Sequence, residues 1–182
     1  YKVDVLRAEI SNLLFGDGEK LPTILVGAGR LGSAVSSFIS RDANGGKEIG
    51  ILATGCSMGA THSANTFFRR PDLIDSVIAL SGLYSSRYFL GDYMDDTVYH
   101  NCPISFLPDV TDEDYLNRMR RARLVFCVGQ GAWEDPMIED TLRLKQILEE
   151  KHIPAFVDVW GKDVNHDWPW WHKMVQTYLP WL

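Results

Sequence analysis

The sequence predicts an α/β fold, a three-layer sandwich with a mostly parallel sheet. Three observations predict it. Short apolar runs rich in Val, Ile and Leu recur along the chain, as buried strands require, at Thr23–Val26, Ile49–Thr54, Ser76–Leu80, Leu124–Val128 and Ala155–Trp160. Segments with helical spacing of apolar residues fall between them. Strand and helix therefore alternate, which implies a sheet covered on both faces. The chain has 182 residues, enough for one domain with a sizeable core.

The elements follow in order. In the segment Tyr1 to Phe15, the positions Val5, Leu6, Ile10, Leu13 and Leu14 are close to helical spacing, and Gly16-Asp17-Gly18 ends it. The strand Thr23–Val26 runs into the glycine-rich turn Gly27-Ala28-Gly29-Arg30-Leu31-Gly32, and a helix is expected through about Arg41. Asn44-Gly45-Gly46 is a turn before the second strand. The turn Gly55 to Gly59 leads into a helix that Pro71 closes near Arg70. The third strand follows, and then a long stretch, 82–114, with aromatics, acids, Pro103 and Pro108. It is too apolar to be disordered and reads as a lid-like excursion. A helix around Tyr115–Arg121, the fourth strand, an amphipathic helix over Ile138–Lys151, the fifth strand and a helix over Trp170–Leu179 complete the domain. Within this single domain, 1–45 forms a Rossmann-like strand-helix start and 46–182 the remainder.

Composition narrows the function. The net charge of -6 argues against a nucleic-acid binder, because phosphate neutralisation needs a basic face. The one basic run, Arg118, Arg120, Arg121 and Arg123, reads as a solvated helix face. Cys56, Cys102 and Cys127 have neither disulfide-framework nor zinc spacing, which fits a reducing, cytoplasmic setting. No run reaches the roughly 18 apolar residues that span a bilayer, and no signal peptide is evident. The chain opens on Tyr1 rather than Met, so an upstream segment is expected. Oligomeric state is not legible.

The pattern Gly55-Cys56-Ser57-Met58-Gly59 lies between a buried strand and a helix. In that context it reads as a nucleophile elbow of α/β-hydrolase type. Small residues two before and two after the serine let the backbone turn sharply and lift the hydroxyl clear of the sheet. The helix N-terminus favours developing negative charge, and the N–H of Met58 is the expected first donor of an oxyanion hole. A serine hydroxyl needs a base, and the expected chain order is serine, acid, histidine. His166, in the loop after the last strand, is the expected base, with His172 in the next helix the weaker candidate. The acid belongs in the loop after the fourth strand, where Asp135 is favoured and Glu134 is the alternative. One of the two is free to cap the following helix. Asp167 reads as a loop-shaping residue, His62 as packing or pocket lining, and Cys56 as packing. Tyr84, Tyr88, Phe89, Tyr93 and Tyr99 are read as pocket wall or as lid core.

From about Ile49 to Leu182 the chain resembles the serine esterases related to S-formylglutathione hydrolase. The resemblance rests on Gly55 to Ala60, on Phe67-Phe68-Arg69-Arg70-Pro71-Asp72, and on Val77-Ile78-Ala79-Leu80-Ser81-Gly82. Glu134-Asp135 and Asn165-His166-Asp167-Trp168-Pro169-Trp170-Trp171 complete it. It implies Ser57 as nucleophile, His166 as base, Asp135 as acid, and hydrolysis of carboxylic esters or thioesters of small molecules, without metal or organic cofactor.

The N-terminal part, Tyr1 to about Phe38, resembles instead the start of the dinucleotide-binding domain of Rex-type redox-sensing repressors. Tyr1-Lys2-Val3, Leu25-Val26 and Gly27 to Gly32 carry that resemblance. A recombined or designed chain, a chimera, is the expectation it raises. The same motif gives a rival function, binding of NAD(H) through Gly27, Gly29 and Gly32. That fingerprint also wants an acid about 20 positions on, at the end of the next strand. Here that strand ends in the serine turn instead. In a hydrolase the second oxyanion donor comes from a loop after an earlier strand. The esterase version of that loop is missing, and the backbone N–H of Ala28 is the expected substitute. A third possibility is a scaffold that keeps the motifs and has lost its oxyanion geometry.

Overall fold

The computed structural model describes residues 23–26 and 50–179. The expected helices at 1–15 and 32–41 lie outside the described residues. Five strands form one sheet in the order β1-β2-β3-β4-β5: Thr23–Val26, Gly50–Cys56, Ser76–Leu80, Arg123–Val128 and Phe156–Val159. Every pairing is parallel. Between β2 and β3 runs α1, Met58–Arg69. The excursion after β3 holds three short helices, α2 (Arg87–Leu90), α3 (Asp96–His100) and α4 (Pro103–Phe106), before α5 (Glu113–Arg121) returns the chain to β4. The helix α6, Asp135–Glu150, joins β4 to β5, and α7, Trp168–Tyr178, closes the described chain.

The two faces of the sheet follow from alternation along each strand. Ile51, Ala53, Val77, Ala79, Leu124 and Phe126 point to one face, where Ala64, Phe67 and Phe68 of α1, Met119 of α5, and Leu144 and Ile147 of α6 cover them. Leu52, Ile78, Leu80, Val125 and Cys127 point to the other, under Trp171, Met174, Val175 and Tyr178 of α7. Phe126 sits at the centre of the first layer. Its ring stacks on Phe68 at 6.1 Å and meets Tyr84 edge-on at 5.5 Å. Burial of such a ring contributes roughly 1.5–3 kcal/mol.

The helix limits differ from expectation at two prolines. Both α6 and α7 begin earlier than apolar spacing predicts, because Pro136 and Pro169 sit in the first turn, where a missing N–H costs nothing. Asp167 caps α7 by accepting a hydrogen bond from the N–H of Trp168 at 2.7 Å. The excursion divides in two. Tyr84 is core and Tyr99 packs against it, whereas Tyr88, Phe89 and Tyr93 are exposed. Its root is held by side chains of the flanking helices. Thr61 accepts from the N–H of Leu83 at 3.0 Å, and buried Asp140 accepts from the N–H groups of Tyr84 and Ser85 at 2.7 and 2.8 Å.

The arginine run lies largely on the outer face of α5. Arg120 alone reaches inward, donating to Glu113 and to the carbonyl of Lys151. Among the described residues no helix is long and apolar enough to cross a membrane.

Phe126→Ala is expected to lower unfolding free energy by about 3–5 kcal/mol, read from urea denaturation. Phe89→Ser, on the exposed part of the excursion, is expected to change it by less than about 0.5 kcal/mol.

Candidate active site

The site lies at the carboxyl edge of the sheet, where β2, β3 and β4 deliver their following loops. Ser57 comes directly after β2. Its backbone has φ 54° and ψ -126°, a conformation that costs a non-glycine residue on the order of 1–3 kcal/mol. The turn is held by a hydrogen bond from the N–H of Ser57 to the carbonyl of Leu80 at 2.9 Å. The flanking glycines contribute unequally. A Cβ on Gly55 would run into the backbone carbonyl of Gly59, so the turn closes only around a glycine there. A Cβ on Gly59 would meet no described atom within 4 Å. Only one of the two small residues expected to be needed for tightness is thus sterically required.

The imidazole of His166 reaches this turn from the loop between β5 and α7. Its Nε2 lies 2.9 Å from the Oγ of Ser57. On the other side of the ring, Nδ1 lies 3.5 Å from Oε2 of Glu134, whose side chain is fully buried. That separation exceeds an ordinary hydrogen bond. Among the described residues neither atom has any other hydrogen-bond partner, so each is the other's natural complement. With the proton on Nδ1, Nε2 is free to accept from the serine hydroxyl.

Of the two carboxylates expected from the sequence, the structure brings Glu134 to the imidazole. Asp135 does not reach the imidazole. It is exposed in the first turn of α6, where a negative charge favours the helix dipole. Trp133 stands directly before the buried carboxylate. Its backbone is left-handed, with φ 69°, and the residue is 81% exposed, while Glu134, next in the chain, is buried. Glu134 occupies the N-cap position without using its carboxylate as a cap.

The loops that carry Glu134 and His166 are tied to each other. The N–H of Gly131 donates to the carbonyl of Val164 at 2.8 Å, and that of Ala132 to Oδ1 of Asn165 at 2.8 Å. In return the N–H of His166 donates to the carbonyl of Ala132 at 3.0 Å. A Cβ on Gly131 would collide with Asn165 and Val164, so the two loops close only against a bare backbone.

Two residues at the site were not singled out as functional from sequence, Ser81 and Trp171. Buried Ser81 donates to Oε1 of Glu134 at 2.7 Å, and the indole N–H of Trp171 donates to the Oγ of Ser81 at 3.1 Å. The ring of Trp171 meets that of His166 edge-on at 4.8 Å. The available signal was a serine directly after the apolar run Val77-Ile78-Ala79-Leu80 and a tryptophan five residues after the histidine.

Met58 is the first residue of α1, so its N–H has no intrahelical acceptor and is available to a ligand. Ala28, and with it Gly27, Gly29 and Gly32, lies outside the described residues. Val26 pairs with Ala53, so β1 runs toward the edge at which β2 delivers Ser57. The remaining candidates stand apart from the site's hydrogen bonds. His62 is exposed on α1, and His172 lies within α7. Cys56 packs against the second core layer, and burial pushes its thiol up to about 11. Among the described residues no group of three or more His, Cys, Asp or Glu is placed to share a metal ion.

No protein-family model matches the sequence, and no curated protein matches it. Solved structures do. The fold is similar to that of a ferulic acid esterase, with a TM-score of 0.62, 21% identity, and coverage of 82% of this chain and 57% of that one. It is similar to the fluorophosphonate-binding serine hydrolase FphF of Staphylococcus aureus, with a TM-score of 0.61, 16% identity, and 82% and 60% covered. It is also similar to the S-formylglutathione hydrolase FrmB of Staphylococcus aureus, with a TM-score of 0.58, 17% identity, and 81% and 57% covered. The chain thus spans under two thirds of the length of these structures. It has their fold, a truncated form of the α/β architecture on which these serine hydrolases are built.

Gly55→Ala is expected to lose the turn at Ser57, seen as a lowered melting temperature and no reaction of Ser57 with a fluorophosphonate. Gly59→Ala is expected to keep the melting temperature within about 2 °C, because it adds a good helix former where no described atom interferes.

Proposed function

We propose that the protein hydrolyses carboxylic ester or thioester bonds of small molecules through an acyl intermediate on Ser57. The single observation that carries this reading is the approach of the Ser57 hydroxyl to Nε2 of His166 at 2.9 Å, with a buried carboxylate on the far side of the ring. The similarity of fold to serine hydrolases and esterases supports it.

The chemistry follows from the geometry. Ser57 Oγ attacks the acyl carbon while its proton passes to Nε2 of His166. Glu134 stabilises the imidazolium that forms and keeps its proton on Nδ1. The oxygen that gains negative charge faces the N–H of Met58 at the start of α1, where the helix dipole adds to the stabilisation. In this reading the backbone N–H of Ala28, in the chain that follows β1, is the second donor. The tetrahedral species collapses, and the leaving alcohol or thiol takes the proton from His166. Water then attacks the acyl-serine with His166 as base, releasing the acid and restoring the hydroxyl. The reading calls on neither a metal nor NAD.

A small chromogenic acyl ester and a fluorophosphonate probe test it. The expected result is ester turnover and mass-mapped labelling at Ser57, both abolished in Ser57→Ala. A wild-type protein that neither turns over the ester nor takes up the probe would overturn the reading. Glu134→Gln is expected to lower kcat by on the order of 10⁴-fold, because an amide cannot hold the imidazolium and favours the wrong tautomer. Asp135→Asn is expected to leave kcat within about twofold. The opposite ranking would return the role of acid to Asp135.

A further inference from the structure

We propose that Ser81 and Trp171 are positioning residues that aim the Glu134 carboxylate and the His166 imidazole at each other, an inference that rests on the hydrolase reading of the same site. The four side chains form a closed circuit. The imidazole faces the carboxylate, the carboxylate accepts from the hydroxyl of Ser81, that hydroxyl accepts from the indole of Trp171, and the indole edge returns to the imidazole.

Hydrogen-bond chemistry gives the circuit one direction. An indole N–H is a donor only. At 3.1 Å from the Oγ of Ser81 it occupies a lone pair of that oxygen. The single proton of Ser81 is then directed to Oε1 of Glu134, and the 2.7 Å separation is that of a hydroxyl donating to a charged carboxylate. With Oε1 so engaged, Oε2 is the oxygen left for Nδ1 of His166. The same indole limits rotation of the imidazole, since their rings stand at 89° with centroids 4.8 Å apart.

Ser81 is itself fixed by the sheet. It follows β3 directly, has φ 54°, and donates its N–H to the carbonyl of Cys127 at 2.7 Å. It is fully buried, so it makes no contact with substrate. A residue of this kind acts on kcat and leaves KM alone.

The test compares the wild type with Ser81→Gly, Trp171→Phe and the double variant. Glycine adopts φ 54° freely, so Ser81→Gly removes the hydroxyl without straining the turn. Phenylalanine keeps a ring against His166 and removes only the N–H donor. Fluorophosphonate titration counts the reactive Ser57 in each preparation, and kcat is taken per titrated serine, which removes the effect of any misfolded fraction. Ser81→Gly is expected to lower kcat per titrated site roughly 10- to 100-fold, the range of a hydrogen bond to a charged group, with KM within about twofold. Trp171→Phe is expected to lower it less. The double variant is expected to match Ser81→Gly alone, because Trp171 reaches the carboxylate only through that hydroxyl.

The proposal is overturned if Ser81→Gly keeps kcat per titrated site within twofold of the wild type, or if only the number of titratable sites falls. It is also overturned if the two losses simply add. A wild type with no turnover and no labelling ends the hydrolase reading itself. It does so before any substitution is compared, so the two failures are told apart.

Discussion

A carboxylate with no exposure to water is the constraint around which this molecule is arranged. Glu134 is fully buried at the carboxyl edge of a parallel sheet, and an ionised group there must be met by polar partners. Its surroundings supply them from three elements. The residue after β3 gives a hydroxyl, the loop after β5 gives an imidazole, and α7 gives the indole that orients the hydroxyl. The left-handed backbone at Trp133 directly precedes this carboxylate, and the bare backbone at Gly131 lets the loop that carries it close against Val164 and Asn165. Local strain and interior polarity are thereby concentrated in one place, as happens at sites built for chemistry.

The two layers beneath the site divide the work. The face covered by α1, α5 and α6 is a continuous apolar layer centred on Phe126, and it fixes the helices that begin at Met58 and Asp135. The face covered by α7 is more polar. There Tyr178 bonds Asp158 and Cys127, and Trp160 bonds both Tyr178 and Asp158. Burial holds the Cys127 thiol up to about 12, so at neutral pH it remains an uncharged neighbour in this layer. Helix α7 thus supplies core, through Met174 and Val175, and polar contact to the site, through Trp171.

Much of this was legible in the sequence. Short apolar runs and helical spacing gave all five strands within two residues of their observed limits and the serine turn between β2 and α1. The approach of His166 to Ser57 could be read from its place after the last strand. Asp135, favoured over Glu134 from the sequence, does not face the imidazole, and the reason is physical. An Asp-Pro pair at the start of a helix puts the aspartate in the first turn, facing water, and Pro136 carried that information. What no local pattern gives is the left-handed backbone of Trp133, directly before the buried Glu134. Ser81 was illegible as a functional residue for a different reason. Its contacts are with residues 53 and 90 positions away, so only the assembled sheet reveals them.

The ends of β2 and β3 repeat one design. Cys56 pairs with Leu80, and the serine after each has φ 54° and sends its N–H across to the neighbouring strand. Ser57 and Ser81 are therefore twin rungs just past the last pairs of the ladder, one offering its hydroxyl outward to the imidazole and the other inward to the carboxylate. Strand registry thus places the two hydroxyls, while the loops that carry Glu134 and His166 are pinned to each other by backbone hydrogen bonds. On warming, the spacing of these two serines should persist until the central strands part.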